Sequence, residues 1–161
     1  LKDKIEIKQV IEDSNQLVHV DYPFYLLLSE RESKDTNDSS LISYFTYDHL
    51  TYLFMGDASK QIEKQLMATY DLKADVIKVG HHGSNTSSDP DFLDSLDCKI
   101  ALISCGYKNK YGHPGVETLK TLENLHINTL CTSDCGSIAM YSLFHFSFVV
   151  TNDGMFGIIW T

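Results

Sequence analysis

An aspartate and two adjacent histidines occupy equivalent places in the sequence, each just after an apolar run that ends in glycine. Asp57 closes the segment YLFMGD, and His81 and His82 close the segment DVIKVGHH. Carboxylate oxygens and imidazole nitrogens are both common metal ligands. If the two apolar runs are neighbouring strands, these three side chains predict a divalent-metal site.

The stretch between the two runs is expected to position them. Residues 59–70 predict a helix, because Ile62, Leu66 and Met67 recur at helical spacing. Two strands joined by a helix are normally parallel and adjacent, so their loops open on the same edge of the sheet, where α/β proteins place ligands. Two simpler interpretations remain open: Asp57 caps the helix, and the histidines are ordinary solvent-exposed loop residues.

A third loop is expected at the same edge, because strand, loop and helix alternate again over residues 100–104, 106–114 and 116–125. This loop carries Lys108, Lys110, Tyr111 and His113. Cations beside a metal site suit an anionic substrate; the alternative for the two lysines is ordinary solvated charge. The imidazole of His113, between a glycine and a proline, is able to donate a hydrogen bond or a proton.

The rest of the sequence predicts strands and loops around this centre. Residues 84–88 form a hydroxyl-rich loop that either binds a phosphate or caps the helix starting at residues 89–90. Residues 29–40 are a polar surface loop, whose Asn37 and Ser40 either approach the site or make local turn contacts. The expected strands are two within residues 1–20, then 24–28, 41–47, 49–55, 76–79, 128–131, 137–141, 143–150 and 155–160.

Composition limits the function. The 161 residues suffice for one domain or part of one, and 13 basic against 22 acidic side chains leave a net charge of −9. This balance disfavours a protein that simply coats DNA, but it allows a metal-dependent phosphodiesterase, because bound cations reverse the local field. The four cysteines lack CxxC spacing and are expected to be free thiols. The first residue, Leu1, suggests that the chain was excised from a longer protein.

Three segments, FMGDAS, ADVIKVGHHGSNTSS and NKYGHPGVETLKTL, follow one another in this order. Together they resemble the C-terminal half of the metallo-β-lactamase-like hydrolase domain of ComEC-type competence proteins, the membrane proteins of bacterial DNA uptake. The resemblance extends over about residues 37–138. It implies an α/β fold, the metallo-β-lactamase-like αββα sandwich, of which residues 1–161 would form a single partial domain without an internal boundary.

The resemblance also implies a chemistry for each candidate residue. In such domains two metal ions, zinc or manganese, hold a hydroxide that attacks the phosphorus of a phosphodiester. Asp57 would bridge both ions and His82 would bind one, with His81 facing the substrate; the reverse assignment of the two histidines stays open. His113 would contact a phosphate oxygen, assisted by Lys110.

The function implied is degradation of one DNA strand during uptake, by a soluble domain of a cell-membrane protein. Its partners would be single-stranded DNA, or another phosphodiester, and the membrane channel of the same polypeptide. The alternatives are a standalone hydrolase of another phosphoester and a non-catalytic module that retains the fold. Neither alternative requires the channel.

Two departures from the family limit what this chain does alone. The His-x-His-x-Asp-His cluster of the N-terminal half is absent, which leaves about two ligands where zinc takes three or four. We therefore expect residues 1–161 alone to be inactive and to bind metal weakly. Ser133 stands where the family usually has an aspartate, so a role for Asp134 is in doubt. Half a sandwich exposes apolar surface, and a homodimer is expected.

Overall fold

The protein, described by a computed structural model for residues 24–27, 36–144 and 146–159, is a mixed α/β structure. Within these ranges it forms two sheets, four helices and two short 3-10 turns. The strands are β1 Phe24–Leu27, β2 Ile42–Tyr47, β3 Leu50–Phe54, β4 Val76–Lys78, β5 Ile100–Ile103, β6 Asn128–Cys131, β7 Ile138–Leu143, β8 Phe146–Thr151 and β9 Phe156–Ile159. The helices are α1 Lys60–Thr69, α2 Pro90–Leu96, α3 Val116–Asn124 and the one-turn α4 Thr132–Cys135.

The larger sheet has six strands in the order β1 to β6. The pairs β1–β2 and β2–β3 are antiparallel, whereas β3, β4, β5 and β6 are parallel. Helices α1, α2 and α3 make the three parallel connections in turn. The loops after β3, β4 and β5 therefore open on one edge of the sheet, as the sequence predicts.

The two faces of this sheet are buried differently. Leu53 and Ile77 pack against the helices, whose Phe92 is fully buried. The opposite face, represented by Val76, packs against Ile159 of the three-stranded sheet β7–β9. The protein thus has three layers: helices, the six-stranded sheet, and the smaller antiparallel sheet.

A line of polar side chains joins the two sheets. His49 Nδ1 lies 3.0 Å from Asp48 Oδ2, and Ser147 Oγ lies 3.3 Å from His49 Nε2. Ser142 Oγ also donates a hydrogen bond to the Asp48 carboxylate. Although the order Asp, His, Ser resembles a catalytic triad, Ser147 is only 2 % exposed. A buried hydroxyl is closed to substrate, so this network is a contact between layers.

The sequence places most of these elements within one or two residues of their observed ends. The hairpin turning at Asp48 and the helices after β3, β4 and β5 are confirmed. The strands expected within residues 1–20 lie outside the described residues. The αββα sandwich and the single-domain boundary of residues 1–161 stay predictions. Among the described helices, none has the length and apolar character that a membrane crossing requires.

Candidate metal and phosphoester site

Asp57 is held by the turn that follows β3. Gly56 adopts φ +57, and a Cβ there would lie 2.9 Å from Ser40 Cβ, so the turn requires glycine. The Asp57 N–H donates to Ser40 Oγ at 2.9 Å. Helix α1 starts at Lys60 with Ser59 at its N-cap, so the interpretation of Asp57 as its cap is wrong. Instead, the Asp57 side chain is free to face the edge of the sheet.

The histidine pair occupies a strained turn after β4. His81 and His82 both lie in the left-handed region, with φ 48° and 54°. Residues other than glycine adopt this backbone conformation at a cost of about 1–3 kcal/mol each, so surrounding contacts must hold them there. One such contact is the hydrogen bond from the His81 N–H to Gly56 O at 3.0 Å. It ties the histidine turn to the Asp57 turn.

The His82 ring is oriented by the neighbouring strand. Its Nδ1 lies 2.7 Å from the carbonyl oxygen of Ser104, at the end of β5. Because a carbonyl only accepts, Nδ1 carries a hydrogen, and in the neutral ring the lone pair is then on Nε2. Nε2 lies 3.7 Å from Asp57 Oδ1, and both side chains are about half exposed. This is the arrangement of metal-binding histidines, whose second nitrogen donates to a carbonyl or carboxylate.

The spacing of these two atoms fits a shared ion. Two ligand atoms on one tetrahedral zinc, at bonds of about 2.1 Å, lie roughly 3.4 Å apart, close to the 3.7 Å between His82 Nε2 and Asp57 Oδ1. Among the described residues, no group of three or more His, Cys, Asp or Glu side chains surrounds a possible metal position. The described part of the chain therefore offers two ligands to an ion that takes three or four.

His81 turns toward the third loop. Its Nδ1 lies 3.3 Å from Thr86 Oγ1, and its ring centroid lies 5.9 Å from that of His113. Burial lowers the pKa of His113, and the neighbouring His81 and His82 lower it further. The structure thus brings His81, His82 and His113 to one place. At neutral pH the His113 ring is in its neutral form.

Two glycines let the loops approach each other. A Cβ on Gly83, which has φ +79, would lie 2.9 Å from Pro114 Cβ, and one on Gly115 would lie 2.0 Å from Asn85 Oδ1. The Gly115 N–H donates to Gly83 O at 2.8 Å. The turn that carries the histidine pair and the loop that carries His113 therefore form one packed unit.

Lys110 is exposed on the outer part of this loop. Its Nζ lies 4.9 Å from the centroid of the Tyr111 ring, which in turn stacks on His113 at 5.8 Å. The observed partner of Lys110 is thus an aromatic ring beside His113. Its expected assistance to His113 in holding phosphate stays a prediction.

Three residues near the site lie outside the set that the sequence singled out. Lys78 ends β4. Burial lowers the pKa of its amine, and the nearby Asp57 opposes that shift. The sequence feature that could have indicated this residue is a lysine at the end of a buried apolar strand. Thr132 Oγ1 donates to Cys105 O at 2.8 Å and accepts from Cys105 N at 3.0 Å. These bonds hold the chain beside the Ser104 carbonyl. The third is Ser40, for which the sequence left open an approach to the site or a local turn contact; its Oγ accepts from the Asp57 N–H.

The residues around Thr132 bear on two expectations from the sequence, the role of Asp134 and the state of the cysteines. Asp134 is exposed and accepts a hydrogen bond from Ser133 Oγ at 2.9 Å, so its described contact is local. The four cysteines are free thiols, as expected. Cys131 lies in contact with Cys105 across β5 and β6, with 3.2 Å between the sulfur atoms.

The hydroxyl-rich loop serves the fold. Ser84, Ser87 and Ser88 are each less than 8 % exposed, and Ser87 Oγ donates to Gly80 O. The cap of α2 is Asp89, whose Oδ1 accepts from the next two helical N–H groups. The proposal that these serines cap the helix is therefore wrong, whereas phosphate binding by the loop, whose Thr86 is exposed beside His81, stays a prediction.

Comparison with known proteins finds related sequences. No protein-family model matches the chain. It is 36% identical over 120 residues to ComE operon protein 3 of Bacillus subtilis strain 168, and 33% identical over 126 residues to competence protein ComA of Neisseria gonorrhoeae. These matches take in 73% and 77% of the chain. The chain belongs to the ComEC-type competence family.

The match concerns a small part of each family member. The chain spans 16% of the Bacillus protein and 18% of the Neisseria protein. A shorter match, 37% identical over 70 residues, relates 44% of the chain to 9% of recombination protein 2 of Haemophilus influenzae. The structure above thus corresponds to one segment of these much longer proteins.

Proposed function

We propose that the chain is part of a metal-dependent phosphodiesterase domain that degrades single-stranded DNA during uptake, within a bacterial membrane protein. The observation that carries the proposal is His82: its Nδ1 is fixed by Ser104 O, and its Nε2 faces Asp57 Oδ1 at 3.7 Å. A histidine oriented in this way toward a carboxylate is prepared to share an ion with it. Membership of the competence family supports the connection to DNA uptake.

Each residue has a distinct role in the proposed site. Asp57 and His82 would hold metal, zinc or manganese, which when bound supplies charge stabilisation and an activated hydroxide. The neutral His113 ring would donate an N–H hydrogen bond to a phosphate oxygen. His81, next to His113, would face the substrate. Lys110 would contribute positive charge to the binding of the phosphate chain.

The remaining metal ligands would come from another part of the same polypeptide. The exposed apolar surface of the small sheet supports such a partner, because large side chains on β7, β8 and β9 face solvent. They are Tyr141, Leu143, Phe146, Phe156 and Ile158, each about half exposed. In the isolated chain, a second copy would cover this surface and form a homodimer.

The proposal is tested by comparing the intact protein with residues 1–161 alone. Both are stripped of metal, supplied with Mn²⁺ or Zn²⁺, and given end-labelled single-stranded DNA. We expect hydrolysis by the intact protein only with metal, and no hydrolysis by residues 1–161, which offer two ligands in the described part. Light scattering of the isolated chain should show a dimer.

Two results would contradict the proposal. One is hydrolysis by the intact protein in the presence of a chelator. The other is hydrolysis by residues 1–161 at the rate of the intact protein. Cleavage of bis-p-nitrophenyl phosphate without cleavage of DNA would favour the alternative of another phosphoester, and the absence of both activities in the metal-loaded intact protein would favour a non-catalytic module.

A further inference from the structure

Two tyrosines beside the site are almost fully open to solvent. Tyr107 is 76% exposed and Tyr111 is 70% exposed. The aromatic rings of the large sheet are different, since Phe45 and Tyr52 stack on each other at 5.1 Å within a cross-strand pair. Packing explains those rings. It does not explain why Tyr107, and Tyr111 apart from its stacking contact with His113, stay open to solvent on this loop.

The loop holds the two rings in a preformed shape. Asn109 Nδ2 donates to Gly106 O at 3.0 Å and to His113 O, while its Oδ1 accepts from the N–H groups of Tyr111 and His113 at 3.2 and 2.9 Å. One side chain thus closes the loop from both ends. A surface whose shape is fixed before binding loses little conformational entropy when a ligand arrives.

Positive charge accompanies the rings. Lys108 Nζ lies 5.2 Å from the Tyr107 centroid, and Lys110 Nζ lies 4.9 Å from the Tyr111 centroid. The ion pairs found among the described residues include neither lysine. Residues 104–116 contain two lysines and no acidic residue, in a chain of net charge −9. The loop is therefore a local basic surface on an acidic protein.

Exposed aromatic rings interleaved with cations are how proteins bind single-stranded nucleic acid without reading its sequence. We propose that the loop of residues 106–113 is a base-stacking subsite, on which Tyr107 and Tyr111 each receive one base of a single DNA strand. The Tyr111 ring lies nearly parallel to His113, at 16°. The Tyr111 ring centroid lies 5.8 Å from that of His113, so a nucleotide stacked on Tyr111 would neighbour the histidine cluster. This inference rests on the proposed function and narrows its substrate from phosphodiesters in general to single-stranded nucleic acid with unpaired bases.

The test measures binding separately from hydrolysis. The intact protein is titrated, in buffer with chelator, against a fluorescein-labelled ten-nucleotide thymidine strand and an abasic strand of equal length. Tyr107→Ala and Tyr111→Ala should each weaken binding of the thymidine strand by about tenfold, the usual effect of losing one stacked base. Neither should change binding of the abasic strand. Tyr107→Phe and Tyr111→Phe keep the ring and should retain affinity, as should the exposed control Tyr47→Ala.

The lysines should contribute through phosphate alone. Lys108→Gln and Lys110→Gln should weaken binding of the thymidine and abasic strands equally. Each should also reduce the slope of log affinity against log salt concentration by about one, the effect of losing one phosphate contact. Equal losses on the thymidine and abasic strands for the tyrosine-to-alanine variants would overturn the subsite, as would unchanged affinity. If the metal-loaded intact protein binds the strand through these rings but never hydrolyses it, the proposed function fails and the subsite stands. If it hydrolyses the strand while the tyrosine variants bind normally, only the subsite fails.

Discussion

Replacing Asp57 by asparagine should abolish metal-dependent DNA hydrolysis by the intact protein. The substitution keeps the size of the side chain and the backbone hydrogen bond to Ser40 Oγ, but it removes the charge that faces His82 Nε2. Loss of a single charge-stabilising group in an active site lowers the rate about 10²–10³-fold, and loss of a metal-binding carboxylate should reach the upper end of that range. The measurement is the initial rate on end-labelled single-stranded DNA in Mn²⁺.

A matched control separates this effect from a general change in charge. Asp71 is exposed and lies outside the loops that form the site, so Asp71→Asn should keep the wild-type rate. The metal content of each purified variant should follow the same order. A fully active Asp57→Asn protein would show that this carboxylate does not hold the metal.

Replacing Glu63 by glutamine should remove a large part of the pH dependence of stability. Glu63 is buried on α1, and its oxygens accept from the N–H groups of Ser88 and Asp89 at 2.8 and 2.6 Å. Burial raises the pKa of this carboxyl from 4.5 to about 7, against the opposing effect of the two hydrogen bonds. Between pH 4.5 and about 7, the Glu63 carboxyl is therefore protonated in the folded state and ionised in the unfolded state.

The sign of the effect follows from that difference. Because the folded pKa is the higher one, the contribution to stability is fully present below about pH 4.5 and is lost as pH rises through about 7. The free energy of unfolding should fall by roughly 3 kcal/mol over this interval. Urea unfolding at several pH values measures it for wild type and Glu63→Gln. The charged neighbours of Glu63 are Asp89, which also pairs with Lys64 at 3.1 Å, and Lys60.

The control for this prediction is Glu123→Gln, on the exposed side of α3. It should retain the pH dependence of the wild type. A Glu63→Gln protein whose unfolding free energy still falls by about the same amount would mean that Glu63 is ionised throughout the range.

The strands and helices that deliver the site residues were predictable because their signals are local. The apolar run ending at residue 79, the periodic Ile62 and Leu66, and the prolines and glycines of the loops each act within a few residues. The rule that a helix joins parallel neighbours then brings Asp57 and His82 to one edge. This much of the site needed no long-range information.

The contacts that orient the site were not predictable in the same way. The Ser104 carbonyl reaches His82 from another strand, and Thr132 holds the neighbouring Cys105 from 27 residues away. Hydroxyls and carbonyls occur everywhere in a sequence, so their roles depend on tertiary position. The serines after Gly83 show the same limit: the sequence suggests that they cap the next helix, whereas the fold buries their side chains and places Asp89 at the cap.

The central claim is that Asp57 and His82 bind the same metal ion, and anomalous diffraction from crystals of the intact protein grown with Mn²⁺ tests it most directly. The account predicts a manganese peak within bonding distance of both Asp57 Oδ1 and His82 Nε2, with His82 Nδ1 still on the Ser104 carbonyl. A peak bound to His81 in place of His82, or fully occupied manganese away from Asp57, would contradict it.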